Sequence, residues 1–252
     1  MKLLLTNDDG IFSKGIEALF HALSAEHEVI VVAPETEQSA IGHAITILEP
    51  LRVNEVKRNG RFFGYALKGT PADCVKIAVS ELMDQPPDMV VSGINLGANV
   101  GVDVIYSGTV SAATEAAVLG LPSIAISIDS FTSADFSAAT EFIPKLVALA
   151  GKEGLPTGVS LNVNVPNLPA DKISGVRITR QGTQRYVEKY DRRIDPRKHV
   201  YYWLTNESVV RDEDPEADSC ALASGYISVT PIHHDLTSYA TLETLRRWGA
   251  SL

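Results

Sequence analysis

Leu3-Leu4-Leu5-Thr6-Asn7-Asp8-Asp9-Gly10 decides the fold, because a short apolar run stops abruptly at two adjacent carboxylates and a glycine. An unbroken apolar stretch of this length, bounded by turn chemistry, marks a strand buried on both faces, as in the middle of a parallel sheet. The acids then fall at its C-terminal edge, where open α/β sheets bind ligands. Two readings stand at this point. The carboxylates form a divalent-cation site, or Asn-Asp-Asp-Gly is a polar turn with Asp as a helix N-cap.

Outward from this stretch, Ile16, Leu19, Phe20 and Leu23 follow the i, i+3, i+4, i+7 spacing of an amphipathic helix within Ile11 to Glu26. Glu28 to Pro34 is a second β-branched strand, so the chain opens with a right-handed βαβ unit. Ala44 to Leu48, Leu51 to Val56 and Arg61 to Leu67 read as a small antiparallel excursion. Thr70-Pro71-Ala72-Asp73 then starts a helix running to about Met83, with Thr70 as N-cap, Pro71 at N1 and Asp73 completing a capping box.

Strand Asp88 to Gly93, helix Val110 to Leu119, strand Ser123 to Ile128, helix Ala134 to Ala150 and strand Val159 to Val165 continue the alternation. The order predicts an α/β fold, a Rossmann-like three-layer sandwich with a mainly parallel sheet, as the catalytic core over 1–165. Residues 166–252 form a C-terminal elaboration within the same structural domain. It carries strands at Val176 to Arg180, Arg185 to Tyr190, Tyr201 to Leu204 and Gly225 to Thr230, and a terminal helix over Leu236 to Trp248. These β-rich arms and the helix suit subunit contacts.

Composition narrows the function. Lysine and arginine number 22 against 31 acids, a formal net charge of −9, which argues against duplex nucleic acid or an anionic membrane as partner. No apolar run reaches the ~18 residues of a membrane span, and Cys74 and Cys220 lie far apart with no signal-like segment ahead of them. A cytoplasmic protein with free thiols is expected.

Three loops reach the edge that carries Asp8 and Asp9: their own, Gln38-Ser39, and Ser92-Gly93-Ile94-Asn95. Two carboxylates, the Ser39 hydroxyl and the Asn95 amide oxygen make four hard donors, which suit one Mg²⁺ or Mn²⁺ ion per subunit better than Zn²⁺. Between Gly93 and Thr109, glycines let backbone N–H groups approach a ligand, and Ser107-Gly108-Thr109 opens a helix whose N-terminus favours an anion. A phosphate cradle from Gly97, Ser107, Gly108 and Thr109 is the expectation. Three other features are read as structural. His233-His234 is a solvated turn, the basic run Arg192 to His199 a solvated arm, and the Leu242, Leu245, Trp248 stripe a packing face.

Asn7-Asp8-Asp9-Gly10, Gln38-Ser39, Gly69-Thr70-Pro71-Ala72-Asp73, Ser92 to Gly97, Tyr106 to Val110 and Thr230-Pro231, in this order, resemble the SurE family of stationary-phase survival protein phosphatases. The resemblance spans nearly the whole chain. It implies a divalent-metal-dependent nucleotidase acting on nucleoside 5′- or 3′-monophosphates, and short polyphosphate as a further substrate. By motif position the family's metal ligands fall on Asp8, Asp9, Ser39 and Asn95. It also implies homodimers or homotetramers with exchanged C-terminal elements. Asp8 and Asp9 are the catalytic candidates, either activating a metal-bound water or, for Asp8, acting as a nucleophile. The rival from another class is a non-catalytic nucleotide or phosphate sensor.

Overall fold

The computed structural model describes residues 1–132 and 135–249. The opening stretch forms β1 (Lys2–Thr6), with Leu3, Leu4 and Leu5 fully buried. The strand is flanked on both sides: Leu4 is level with Ile30 of β2 (Glu28–Pro34) and with Val90 of β5 (Met89–Leu96), both parallel to β1. The intervening strands are β3 (Val53–Arg58) and β4 (Arg61–Leu67), and β6 (Ser123–Ile128) and β7 (Val159–Val165) follow β5.

Strand alternation sets the layers. Leu3 and Leu5 join one core cluster with Ile16 and Leu19 of α1 (Lys14–Leu23) and with Ile143 and Val147 of α4 (Ser137–Glu153). Leu4 points the other way, toward Cys74 and Val75 of α2 (Pro71–Ile77) and Ala112 and Ala116 of α3 (Gly108–Val118). The result is a three-layer α/β sandwich with a mostly parallel sheet. The α4 start expected at Ala134 lies outside the described residues.

From β1 the chain runs to β2 and β4 on one side, then crosses to β5 on the other and continues to β6 and β7. The loops after β1 and β5 therefore diverge, and the crevice between them is the topological switch point. Asp8-Asp9 and Asn95 stand at its two lips.

Two expectations change here. Ala44 to Leu48 is not a strand, because side chains at the start of α2 take its polar groups: Thr70 Oγ1 donates to Ala44 O (2.7 Å) and Thr46 N donates to Asp73 Oδ1 (3.0 Å). The remaining hairpin, β3 antiparallel to β4, is no separate excursion, since β4 pairs in parallel with β2 and extends the main sheet. The helix expected to run from Thr70 to Met83 is α over Pro71–Ile77 and π-helical over Ala78–Leu82, with the capping box of Thr70 and Asp73 in place.

C-terminal to β7, β11 (Ile227–His233) adds antiparallel to it and β8 (Val176–Ile178) adds parallel to β11, giving nine strands. The strands β9 (Arg185–Ile194) and β10 (Val200–Val210) form a separate antiparallel hairpin, longer than expected because 191–194 of the charged run continue β9 and 205–210 continue β10. On it Tyr190, Tyr202 and Trp203 are exposed, and the terminal helix α5 (Tyr239–Gly249) buries no residue. His233 accepts from Asp235 N (3.1 Å) in a turn. Among the described residues no helix is long and apolar enough to cross a membrane.

Candidate functional site

Asn7 builds the turn after β1, its amide donating to Gly10 O (3.0 Å) and Ser13 Oγ (2.8 Å). Ser13 is the N-cap of α1, so neither aspartate caps the helix that follows. Asp8 reaches instead to the start of α3, where Thr109 N donates to Asp8 Oδ2 (3.0 Å) and the Thr109 hydroxyl donates to Asp8 Oδ1. The positive end of α3 thus holds this carboxylate. Gly108 permits the approach, since a Cβ there would lie 2.8 Å from Asp8 Cβ and 3.2 Å from Pro71 Cγ.

Asp9 is less enclosed and accepts one weak bond, from Leu96 N (3.4 Å). Burial pushes both carboxyls above the ordinary carboxylate range; for Asp9, burial and then the neighbouring Asp8 charge raise it to about 6. No cation contributes to either group, and the Glu37 carboxylate pushes both up further. Paired acids in this state favour a bound cation.

The other two donors come from loops tied to this pair. Gln38 N donates to Asp8 O (2.8 Å), which seats Ser39 beside the turn; the exposed Ser39 hydroxyl donates to Glu37 Oε1 (2.5 Å) and keeps its lone pairs. In β5 the register slips by one residue, with Gly93 level with Ile126 and Asn95 level with Ser127, and the Gly93–Ile94 peptide is cis. Such a bulge re-aims the next side chain. Asn95 Nδ2 donates to Gly97 O (2.7 Å), so its Oδ1 is the end left to accept or ligate.

The phosphate cradle is smaller than its glycines suggest. Gly97 has φ +104°, and its N–H is committed to Ile128 O (3.0 Å). Ser107 N is taken by Asp103 O (3.1 Å), and Thr109 serves Asp8 with both its donors. Gly108 N–H and the Ser107 hydroxyl remain as donors, with Ser107 Oγ capping α3 by accepting from Val110 N (3.1 Å).

Sequence reading missed Glu37 and a second cluster. Glu115, a buried acid on the alanine-rich α3, holds His43 Nε2 (2.7 Å) and Lys76 Nζ (3.1 Å). Those contacts, first His43, keep its carboxyl below the ordinary range. An acid in an otherwise apolar helix was the available signal. Through His43, and through Gly42 N donating to Tyr106 O (2.9 Å), this cluster fastens the loop that carries Ser39.

A Rossmann-like sandwich with a pair of carboxylates at its switch point defines the class of α/β proteins that place their site at the C-terminal edge of a parallel sheet. The chain belongs, within that class, to the SurE family: the family model described as Survival protein SurE matches residues 3–188. It is 71% identical over 249 residues to a protein named 5′-nucleotidase SurE from Syntrophobacter fumaroxidans, covering 99% of this chain and 100% of that one. A protein of the same name from Syntrophus aciditrophicus is 52% identical, over 98% of this chain and 93% of its own. Among solved structures, the SurE protein from Aquifex aeolicus superposes with a TM-score of 0.85 at 40% identity, covering 99% and 100% of the two chains.

Proposed function

We propose that the protein is a divalent-metal-dependent 5′-nucleotidase that hydrolyses nucleoside monophosphates to nucleoside and phosphate. The observation that carries this reading is the Asp8–Asp9 pair at the end of β1, Asp8 buried and Asp9 half-buried, each raised by burial and by the carboxylates beside it with no cation among the causes. The names of the relatives from Syntrophobacter and Syntrophus support the nucleotide as substrate. The donor set is all oxygen, and among the described residues no three His, Cys, Asp or Glu converge as a metal site, so Ser39 and Asn95 are needed beside the acids. That set fits Mg²⁺ or Mn²⁺.

A divalent ion held by Asp8, Asp9, Ser39 and Asn95 supplies Lewis-acid polarisation and a more acidic water. The protein does the rest. Asp8 is locked by Thr109 and acts as a fixed ligand, whereas Asp9, with one weak bond, is the carboxylate placed to accept the proton of the attacking water. As the water oxygen bonds to phosphorus and the ribose oxygen leaves, Gly108 N–H and the Ser107 hydroxyl donate to the phosphoryl oxygens. Gly97 contributes by turning the Asn95 amide.

A phosphate-release screen over nucleoside 5′- and 3′-monophosphates and short polyphosphate, with Mg²⁺, Mn²⁺ or EDTA, tests the proposal. Release with either metal and none in EDTA is expected. Binding of nucleotide without release under every condition would establish a sensor instead, and a trapped phospho-Asp8 adduct would replace the water route with a covalent one. We further propose a homodimer or homotetramer with exchanged C-terminal elements, supported by the exposed Tyr190, Tyr202, Trp203 and Trp248. Sedimentation as a monomer at micromolar concentration would refute that assembly.

A further inference from the structure

The turn that carries the two acids is held unevenly. Asp8 is locked at its side chain by Thr109, and Gln38 N donates to its carbonyl (2.8 Å). Asp9 has one weak bond of its own, from Leu96 N (3.4 Å), so its place is set by the backbone that leaves it. That backbone turns sharply at Gly10, φ +93°, where a Cβ would lie 3.3 Å from Pro34 O. Ile11 follows, fully buried, with its N–H donating to Pro34 O (2.9 Å).

The Ile11 carbonyl is met from another part of the sheet. Arg58, the last residue of β3, donates from Nη2 to Ile11 O (2.9 Å) and pairs through Nη1 with Glu17 Oε1 (2.8 Å) in the first turn of α1. Its guanidinium carbon lies 4.1 Å from the ring centroid of Phe63, a buried residue of β4. One planar fork on an aromatic face, serving two acceptors at once, is a geometry that lysine does not reproduce. The Arg58 side chain is only 21% exposed, which separates it from a solvated surface charge.

The hairpin is built to deliver this side chain. Asn59 and Gly60 take φ +50° and +75°, the left-handed pair of a two-residue turn, and set Arg58 level with Arg61. From β4 the Phe63 ring also packs on Phe20 of α1, with 5.1 Å between centroids. β3 is an edge strand, separated from β1 by β4 and β2, yet Arg58 reaches the loop beyond β1. A hairpin with no part in the donor set thus grips the exit of the turn that holds Asp9.

We propose that Arg58 is a positioning residue that fixes Asp9 through the Gly10–Ile11 backbone, with the β3–β4 hairpin as a brace. The proposal rests on the metal-dependent nucleotidase reading above. From Ile11 back to Asp9 the chain spans at most about 7 Å, so a shift of the Ile11 carbonyl is felt at the carboxylate. Asp8 is fastened to the layer of α2 and α3, and Asp9, through Arg58 and Phe63, to the layer of α1. Each acid is thereby held from a different side of the sheet.

The test uses Arg58→Met in the full chain, a change that keeps an apolar stem over Phe63 and removes both donors. Amide hydrogen exchange of the metal-free protein reads the brace directly. Exchange at the Ile11 amide is expected to quicken about tenfold, the scale of a lost bond to a charged group, with Leu3 to Leu5 within about twofold of wild type. Calorimetry is expected to give a Kd for Mn²⁺ about tenfold weaker, and kcat on AMP at saturating Mn²⁺ about tenfold lower with KM within about twofold. Glu17→Gln, which leaves the bond from Arg58 to Ile11 O, is expected to keep exchange and Mn²⁺ affinity within about twofold. Unchanged exchange at Ile11, an equal rise at Leu3 to Leu5, or faster exchange with Mn²⁺ affinity and kcat at wild-type values would overturn the proposal. Faster exchange at Ile11 alone, in a protein whose wild type binds no Mn²⁺ and releases no phosphate, would overturn the nucleotidase reading and leave the brace of the turn standing.

Discussion

Asp8–Asp9 and Asp103–Asp129 stand on one sheet edge, each carboxyl pushed above its ordinary range chiefly by burial, yet the two groups are furnished for different guests. The first has the N-terminus of α3 behind it, where Thr109 donates to Asp8 twice. The second shares its space with the rings of Phe131 and Tyr186. Charge alone does not decide what a pair of acids binds; the groups that share the space do. A locked carboxylate beside a second acid suits a cation, whereas carboxylates set among rings suit a neutral polar molecule.

The largest effects should come from the locked pair. Asp8→Asn is expected to lower kcat on nucleotides and on glycerol 2-phosphate alike by at least about 10³-fold, since a ligand and its charge are lost together. Near-normal turnover with an unchanged circular dichroism spectrum would break the comparison outright. Gly108→Ala tests the lock itself. Its methyl group has to displace Asp8 or Pro71, and a shift on the order of 1 Å at a reacting centre costs about 10²-fold. Retention of more than a tenth of wild-type activity would show that the close approach is dispensable.

A smaller effect separates the pairs by pH. The Asp9 carboxyl is raised in the folded protein to about 6 from 3.8. The stability that protonated Asp9 contributes is thus fully present below about pH 4 and lost as pH rises through about 6. Without metal, Asp9→Asn should raise the Tm above pH 6, by about 2–4 °C after discounting for solvent screening, and leave it unchanged near pH 4. Mn²⁺ should reverse the sign above pH 6, stabilising wild type over the variant. Calorimetry showing the same Tm difference at both pH values would remove the cation from the account.

How far these features were legible follows from where their partners lie. The strand Leu3 to Leu5, the βαβ opening and the Thr70–Asp73 capping box are local patterns, and the sequence displays them directly. Asp8, Ser39 and Asn95 could be gathered because parallel strands bring their C-terminal ends to one edge. The direction of the Gly97 and Thr109 donors was hidden, because Ile128 O and Asp8 lie 31 and 101 positions away and no spacing rule connects them. Ala44 to Leu48 has the composition of a strand, but its amide and carbonyl groups are claimed by α2 side chains. The cleft that holds Asp103 and Asp129 was invisible for the same reason: Ala98, Phe131, Tyr186 and Arg211 meet only in three dimensions.

The smallest effect concerns the loop that brings Ser39 to the first pair and has no counterpart at the second. Glu115 holds His43 and Lys76, and His43 lies four residues after Ser39. Glu115→Gln keeps the shape of the side chain but replaces two charge-assisted bonds with weaker ones. The loop retains its other ties, Gln38 N to Asp8 O and Thr46 to Asp73, so Ser39 should loosen without leaving. An expected fall of about 3–10-fold in kcat, below the about 10–100-fold typical of removing a supporting partner outright, should be equal for AMP and glycerol 2-phosphate and eased by raised Mn²⁺. If raised Mn²⁺ left the loss unchanged, the latch of Glu115, His43 and Lys76 would act on the fold at large and not on the seating of Ser39.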